Sequence, residues 1–258
     1  MHSQINFGYP WIINYAHLIL AIFFLALFSL ALFFKWRKPV TTLFAILTLW
    51  AFAAFVMVRF GFDMNGRAAL PTQAFLPSGA GKVLDMGAGT GRSTLMVLEA
   101  RPQTTVVALD SFSDSYAQHF GDQGAAPLPD QGAARLLANM RAAGVQQRVS
   151  VQPGDMRHMP LPSDSFDAAV SAYAIDHLDP PAARDALAEA FRVLKPGGQF
   201  LLIVIHADNW VAFTFGPMMH HSSMNLTAPW DRNVRAAGFA ILEHGTKPAT
   251  EYVLARKP

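Results

Sequence analysis

The sequence predicts an α/β fold, a doubly wound and mostly parallel sheet, carried behind a two-helix hairpin apolar enough to enter a membrane. Three observations predict it. No Asp, Glu, Lys or Arg occurs in residues 1–34 or 39–58. From residue 82 onward, short apolar runs alternate with helical stretches. A glycine-rich turn, Gly87-Ala88-Gly89-Thr90-Gly91, joins the first of those runs to the first of those helices.

Composition separates the two parts before any motif does. The 258 residues are 52% hydrophobic and only 15% charged, which is too apolar for an average soluble domain. Residues 1–70 carry Lys35, Arg37, Lys38, Arg59 and Arg67 against Asp63 alone, whereas the remainder holds 15 basic residues against 17 acidic ones. The basic character therefore flanks the apolar runs, and no nucleic-acid partner is expected of a slightly acidic domain. With no cysteine present, disulfides, thiolate catalysis and cysteine metal sites are excluded.

Trp11 to Phe34 is a 24-residue apolar run interrupted only by Asn14, His17 and Ser29. As a helix it would reach roughly 36 Å, enough to cross a hydrocarbon core. Tyr9, Trp11 and Tyr15 at its start read as an interfacial aromatic belt. After Lys35-Trp36-Arg37-Lys38-Pro39, a second run spans Val40 to Val58. A signal peptide is not expected, because the run lacks a basic leader and a small-residue cleavage site, and a second run follows at once. The expected partner is a lipid bilayer. Residues 1–60 are read as the anchor, with helices at about 11–34 and 40–58, residues 61–81 as a linker, and 82–258 as a domain whose sheet does not need the hairpin.

Within that domain, Lys82 to Met86 reads as the first strand, and Arg92 to Ala100 as a helix behind the glycine turn. Thr105 to Leu109 is the second strand, ending at Asp110. Ser111 to Pro129 is an irregular loop longer than such domains usually need. A helix over 131–143 and a strand over 148–152 follow, then a strand over 166–171, a helix over 180–193 and a strand over 198–205. A helix near 230–237 and strands over 239–244 and 250–255 complete seven strands.

The glycines let the backbone turn sharply and approach a ligand closely, with helix N–H groups aimed at it. The spacing is GxGxG rather than the GxGxxG of dinucleotide sites, and Asp85 stands on the strand just before it. A carboxylate there would repel a pyrophosphate but suits a cationic ligand such as S-adenosylmethionine. Asp110 is placed to accept from ribose hydroxyls, and Asp155 from an adenine amino group with Met156 against the ring. One strand-end Asp is usually a turn cap. Three on successive strands, all at the binding edge of an open sheet, point to a nucleoside.

Residues 82–258 resemble the class I S-adenosylmethionine-dependent methyltransferases, in particular the ubiquinone/menaquinone-methyltransferase-like group. The resemblance is carried by VLDMGAGTG (83–91), GDMRHMPLPSDSFDAAVS (154–171) and AFRVLKPGGQFLLIV (190–204). It implies a Rossmann-like fold with a final antiparallel strand, matched by Thr250 to Ala255. It implies S-adenosylmethionine as cofactor, with Asp85, Gly87, Gly89 and Gly91 at its methionine half, Asp110 at the ribose, and Asp155 with Met156 at the adenine. Ser171 would line the methionine end. Quinone C-methyltransferases carry a Gly-Leu-Arg-Asn-type stretch after the fourth strand, where this chain has Ser171-Ala172-Tyr173-Ala174-Ile175-Asp176-His177. The chain also resembles bacterial methyltransferases with two N-terminal membrane helices, which implies an inner membrane of bacterial type.

Topology is contested between two arguments. Three basic residues in the hairpin linker against Arg59 and Arg67 put that linker in the cytoplasm by the positive-inside rule. A cytosolic cofactor requires the opposite and decides for a domain on the cytoplasmic side; a shallow hairpin satisfies both. His177, with Asp176 beside it and Tyr173 as a wall, is the candidate catalytic group, able to orient an acceptor or take its proton. The plain alternative is a helix-start histidine bonded to backbone. The insert over 209–229, with Trp210, Phe213, Phe215, Met218, Met219, Met224 and the pair His220-His221, reads either as an acceptor lid or as packing on the sheet. No HxH or HxxxH spacing supports a metal. A lipid-like amphiphile explains the anchor, a small thiol or other diffusing nucleophile is the alternative acceptor, and a cofactor-binding sensor the non-enzymatic one. A NAD-dependent oxidoreductase is the rival enzyme class. Oligomeric state has no signature in the sequence.

Overall fold

The structure is a computed structural model that describes residues 5–9, 11–62, 65–112, 131–216 and 228–258. Two long helices come first, α1 (Trp11–Phe33) and α2 (Lys38–Val56). The second starts two residues earlier than expected, because Pro39 falls at the first turn, where its missing N–H is not needed. A π-helical turn, Met57–Phe62, extends it. The two helices pack antiparallel along a seam of small residues, Ala21, Ala31, Ala51 and Ala54, all buried. Small side chains let the helix backbones approach closely. Outward faces are strongly apolar: Ile22, Phe23, Leu25, Leu43, Ile46, Leu49 and Phe52 are exposed. Mean hydropathy is 2.6 over α1 and 2.2 over α2 with its extension.

The sheet comprises β1 (Ala80–Met86), β2 (Gln103–Asp110), β3 (Val149–Pro153), β4 (Phe166–Ala172), β5 (Leu194–Ile205), β6 (Ala240–Lys247) and β7 (Thr250–Arg256). Its order is β3-β2-β1-β4-β5-β7-β6, and β7 runs antiparallel to both neighbours. This is the Rossmann-like, seven-stranded arrangement expected. Strand β5 begins four residues before its expected start, since Leu194 pairs with Phe166 ahead of a register shift and Gln199 then pairs with Ala168. Between them α3 (Arg92–Ala100), α4 (Gln131–Ala142), α5 (Pro180–Val193) and α7 (Trp230–Ala236) cover the sheet, and α6 (Asn209–Phe215) stands apart from it.

Both sheet faces are buried, which is why β1 reads as a continuous apolar run rather than an alternating one. On one face Val83, Ala168 and Val170 meet Leu95 and Leu98 of α3 and Leu136 and Met140 of α4. On the other, Leu84, Met86 and Ala169 meet Ala183, Leu187 and Ala190 of α5 and Trp230 and Val234 of α7. Asp179 starts α5 by accepting from Ala182 N at 2.8 Å, a helix N-cap.

Two segments outside the expected domain join its core. Leu70, Phe75 and Leu76, from the expected linker, are buried in the first cluster, and Arg101 donates to the carbonyls of Phe75 and Gln73 at 2.9 Å each. Phe7, ahead of α1, is 2% exposed in the same cluster. Asn6 N donates to Asn139 Oδ1 at 2.9 Å, and Asn139 Nδ2 donates back to Asn6 O at 3.0 Å. Tyr9 and Asn65 exchange two further bonds of 3.2 and 3.0 Å, which tie the start of α1 to the end of α2. Both ends of the hairpin therefore meet the domain, and the Lys35–Lys38 turn lies at the far end.

Candidate active site

Strand order reverses between β1 and β4, and in open α/β sheets ligands bind outside the carboxyl ends at such a point. A cavity of about 410 Å³ lies there. Its floor is Gly87 to Thr90, one side is Asp110 and Ser111 with Met156, and the other is Ala172, Tyr173, Ala174 and His177. The remaining wall comes from Tyr9, from Ala68, Ala69 and Pro71 of the linker, from Arg92, Ser93 and Met96 of α3, and from Lys247 and Thr250 of the β6–β7 hairpin.

The glycine turn takes left-handed backbone angles, φ +77° at Gly87 and +51° at Gly89. At Gly87 a Cβ would fall 2.4 Å from Ala174 Cβ and 2.9 Å from Met156 Cε, so only glycine leaves the cavity open. Gly91 differs. It is not a wall residue; its φ of +90° opens α3, and a Cβ would collide with Met140 and Leu136 of α4. Its role is close packing of two helices.

Asp110 lines the cavity. Its Oδ2 accepts from Gly89 N and its Oδ1 from Phe112 N, both at 2.9 Å, so it also fixes the glycine turn. Asp85 does not reach the cavity. The strand turns its carboxylate toward α3, where Oδ2 accepts from Ser93 Oγ at 2.8 Å and Thr94 Oγ1 at 2.5 Å, and Oδ1 has no partner. Burial, against the relief of those two hydroxyls, raises its pKa to about 6. Asp85 thus ties β1 to the first turn of α3, just behind the glycine turn.

Met156 lines the cavity and Asp155 does not. Asp155 is turned outward to Arg157, whose Nε and NH2 donate at 2.6 to 3.0 Å and hold the carboxyl below its usual range. Ser171 is also absent from the wall. It is fully buried within β4, and its Oγ donates to Met86 O at 2.9 Å, tying β4 to β1.

After β4, Tyr173 adopts φ +53° and its hydroxyl meets Thr250 Oγ1 at 2.9 Å. Burial pushes its pKa up. His177 ends a 3₁₀ turn, Ile175–His177, and faces the cavity mouth. Asp176 points the other way. It is fully buried, and its Oδ2 accepts from Ile205 N at 3.1 Å. Burial raises its pKa, and the His177 ring opposes that as a nearby charge.

The insert begins as α6, capped by Asp208, which accepts from Trp210 N and Val211 N. This helix docks on the hairpin. Trp50 Nε1 donates to Phe213 O at 2.9 Å, and His17 Nε2 lies 2.9 Å from Thr214 O, so these two side chains of the apolar helices meet backbone carbonyls of α6. Residues 217–227, with Met218, Met219, His220, His221 and Met224, lie outside the described residues, as does the loop over 113–130.

Sequence reasoning missed Tyr9, Arg92 and Thr250 as wall residues. Arg92 had a signal, being the first side chain after the glycine turn. Tyr9 had none, since an aromatic before an apolar helix equally suits a membrane interface, where Trp11 does remain exposed.

The comparisons with known proteins follow this geometry. The family described as "Methyltransferase domain" matches residues 84–202, from within β1, just ahead of the glycine turn, into β5. A ubiquinone/menaquinone biosynthesis C-methyltransferase of Methylobacterium nodulans is 35% identical over 129 residues, 49% of this chain and 43% of that protein. A chloroplastic 2-methyl-6-phytyl-1,4-hydroquinone methyltransferase of Oryza sativa is 31% identical over 138 residues, 53% of this chain and 35% of that one. The chain spans about half the length, or less, of these curated relatives. Among solved structures, an O-methyltransferase family 2 protein from Planctomyces limnophilus superposes with a TM-score of 0.55 at 18% identity, covering 86% of this chain and 62% of that one. A [4+2]-cyclase superposes at 0.50 with 20% identity, covering 69% and 76%. Likeness at these identities shows the fold alone, and a cyclase on the same frame illustrates that fold does not dictate reaction. The glycine turn, the strand-end Asp110 and the matched span agree with one another: residues 84–202 belong to the class I, S-adenosylmethionine-dependent methyltransferase-domain family.

Proposed function

We propose that the chain is a membrane-anchored enzyme that transfers a methyl group from S-adenosylmethionine to a small acceptor that partitions into membranes, a lipid-like amphiphile in preference to a diffusing thiol. The observation that carries this reading is the shared wall: Tyr9, at the foot of the apolar hairpin, lines the same cavity as the glycine turn. An acceptor leaving the bilayer surface would meet that cavity without crossing bulk water. The domain is read as cytoplasmic because the cofactor is cytosolic. The relatives' names point to quinone rings, but Tyr173 and His177 occupy the stretch after β4 in place of the quinone-type sequence, so a different acceptor head is favoured.

The cofactor supplies an activated methyl on a sulfonium, and the protein's task is alignment, which is worth several kcal/mol. In this reading Asp110 accepts from the ribose hydroxyls and Met156 flanks the adenine. Gly87 and Gly89 leave room for the methionine half, and the Asp85 carboxylate behind them favours its positive charge. Tyr173, braced by Thr250, walls the acceptor side. His177 orients the acceptor's nucleophilic atom and takes its proton when that atom carries one; Asp176 fixes the turn to Ile205 and has the His177 ring as a nearby charge.

The test is incubation of the full-length protein in native membranes with methyl-labelled cofactor, followed by mass spectrometry of lipid and aqueous extracts. Label in the lipid extract is expected. Label confined to the aqueous extract would overturn the lipophilic acceptor and leave the methyltransferase. No label in either, with calorimetric binding intact, would favour a sensor.

A further inference from the structure

The segment ahead of the first apolar helix is built into the cofactor pocket. Phe7 fills the core beside α3 and α4. Its carbonyl accepts from Thr90 Oγ1, within the glycine turn itself, at 2.8 Å. Asn139 bridges the two, donating to Asn6 O at 3.0 Å and to Thr90 O at 2.9 Å. Gly8, at φ +86°, lies against Arg135 where a Cβ would fall 2.3 Å from the guanidinium. These ties deliver Tyr9 to the cavity wall. The same cavity is lined by Arg92, whose Nε is fixed on Gly66 O at 3.0 Å and whose charge acts on the Tyr9 hydroxyl.

The methionine half of S-adenosylmethionine ends in a carboxylate, which needs a cation or hydrogen-bond donors when taken from water. Among the described residues the arginine and lysine side chains lining the cavity are Arg92, held on Gly66 O, and Lys247. Lys247 closes β6 opposite Thr250, whose hydroxyl meets Tyr173, on the acceptor side. Arg92 directly follows the glycine turn. We infer that Arg92 and the Tyr9 hydroxyl form the seat of the cofactor's carboxylate, so that a residue preceding the hairpin is a cofactor-binding residue. Burial pushes the Tyr9 pKa up, which keeps the phenol protonated and a donor. The inference rests on the cavity being the S-adenosylmethionine site.

The experiment compares calorimetric affinities of full-length protein in detergent micelles for S-adenosylmethionine and for its decarboxylated form. Wild type is expected to prefer the former by about 10- to 100-fold, the range of a charge-assisted contact. Arg92→Met should bring the ratio near one by weakening S-adenosylmethionine alone, Arg92→Lys should restore part of it, and Tyr9→Phe, which keeps the ring, should lower it several-fold. An unchanged ratio in Arg92→Met, or a ratio abolished by Lys247→Met instead, would overturn the seat. If wild type binds neither ligand, the underlying cofactor reading fails and the seat falls with it.

Discussion

Asp110 shows how much one carboxylate can control at this site. Its two oxygens hold Gly89 and Phe112 by their backbone N–H groups, and each oxygen retains a lone pair for a ribose hydroxyl. Asp110→Ala should weaken S-adenosylmethionine binding by about 10²-fold, since charge-assisted contacts are the strong ones; unchanged calorimetric affinity in a folded variant would remove Asp110 from the site. Asp85 makes a different prediction, through pH. Its pKa rises on folding to about 6 from 3.8, so between those values the folded state binds more protons than the unfolded one. Stability of the ligand-free protein should therefore fall as pH rises from 4 to 6, by about 2 kcal/mol from this group. Asp85→Asn should flatten that slope in a series of thermal melts; equal slopes for variant and wild type would contradict the assignment. At His177 the expectation is kinetic. His177→Ala should leave cofactor affinity nearly intact and lower turnover, by about 10²-fold if it removes the acceptor's proton. A raised acceptor KM with smaller loss indicates positioning, and an unchanged rate and pH profile would make the residue structural.

At the scale of elements, the hairpin is joined to the sheet by packed segments at both of its ends. The segment over 5–9 and the linker pack into the sheet's first core cluster, and α6 hangs from α1 and α2 by the bonds to Trp50 and His17. A variant lacking residues 1–60 loses Phe7, worth about 1.5–3 kcal/mol of buried apolar surface, together with the cavity wall at Tyr9. It should melt at lower temperature and bind S-adenosylmethionine at least about 10-fold more weakly than full-length protein. Full affinity in the truncated protein would make the strap dispensable.

For the whole molecule the consequence is topological. Tyr9 and Asn65 clasp the two ends of the hairpin together beside the domain, so the Lys35–Lys38 turn lies at the opposite end of the hairpin. With no native cysteine, single cysteines introduced at Arg37 and at the exposed domain residue Lys195 report the two ends directly. In intact bacterial cells an impermeant maleimide should fail to label the domain site. Labelling at the domain and protection at the turn would follow the positive-inside count instead and reverse the proposed orientation.

Several features were legible in the order of residues because they depend on local periodicity and local turns. The apolar lengths of α1 and α2, the alternation of strands and helices, the glycine turn and the strand-end Asp110 are all of this kind. So was the position of Tyr173 and His177 just beyond β4. Orientation was not legible. Asp85 and Ser171 sit on strands at the expected places, yet the pleat turns the first toward α3 and the second toward Met86, away from the cavity. Asp155 was claimed by an arginine two residues away, and Asp176 by the backbone of β5, 29 residues on. The sequence by itself determined the two-part composition, the sheet and the nucleoside-binding edge, since each is written in short windows of the chain. Only the tertiary structure decided that Tyr9 and Arg92 share a wall: their positions are 83 residues apart, and packing of Phe7 against α3 and α4, which no local pattern encodes, is what brings them together.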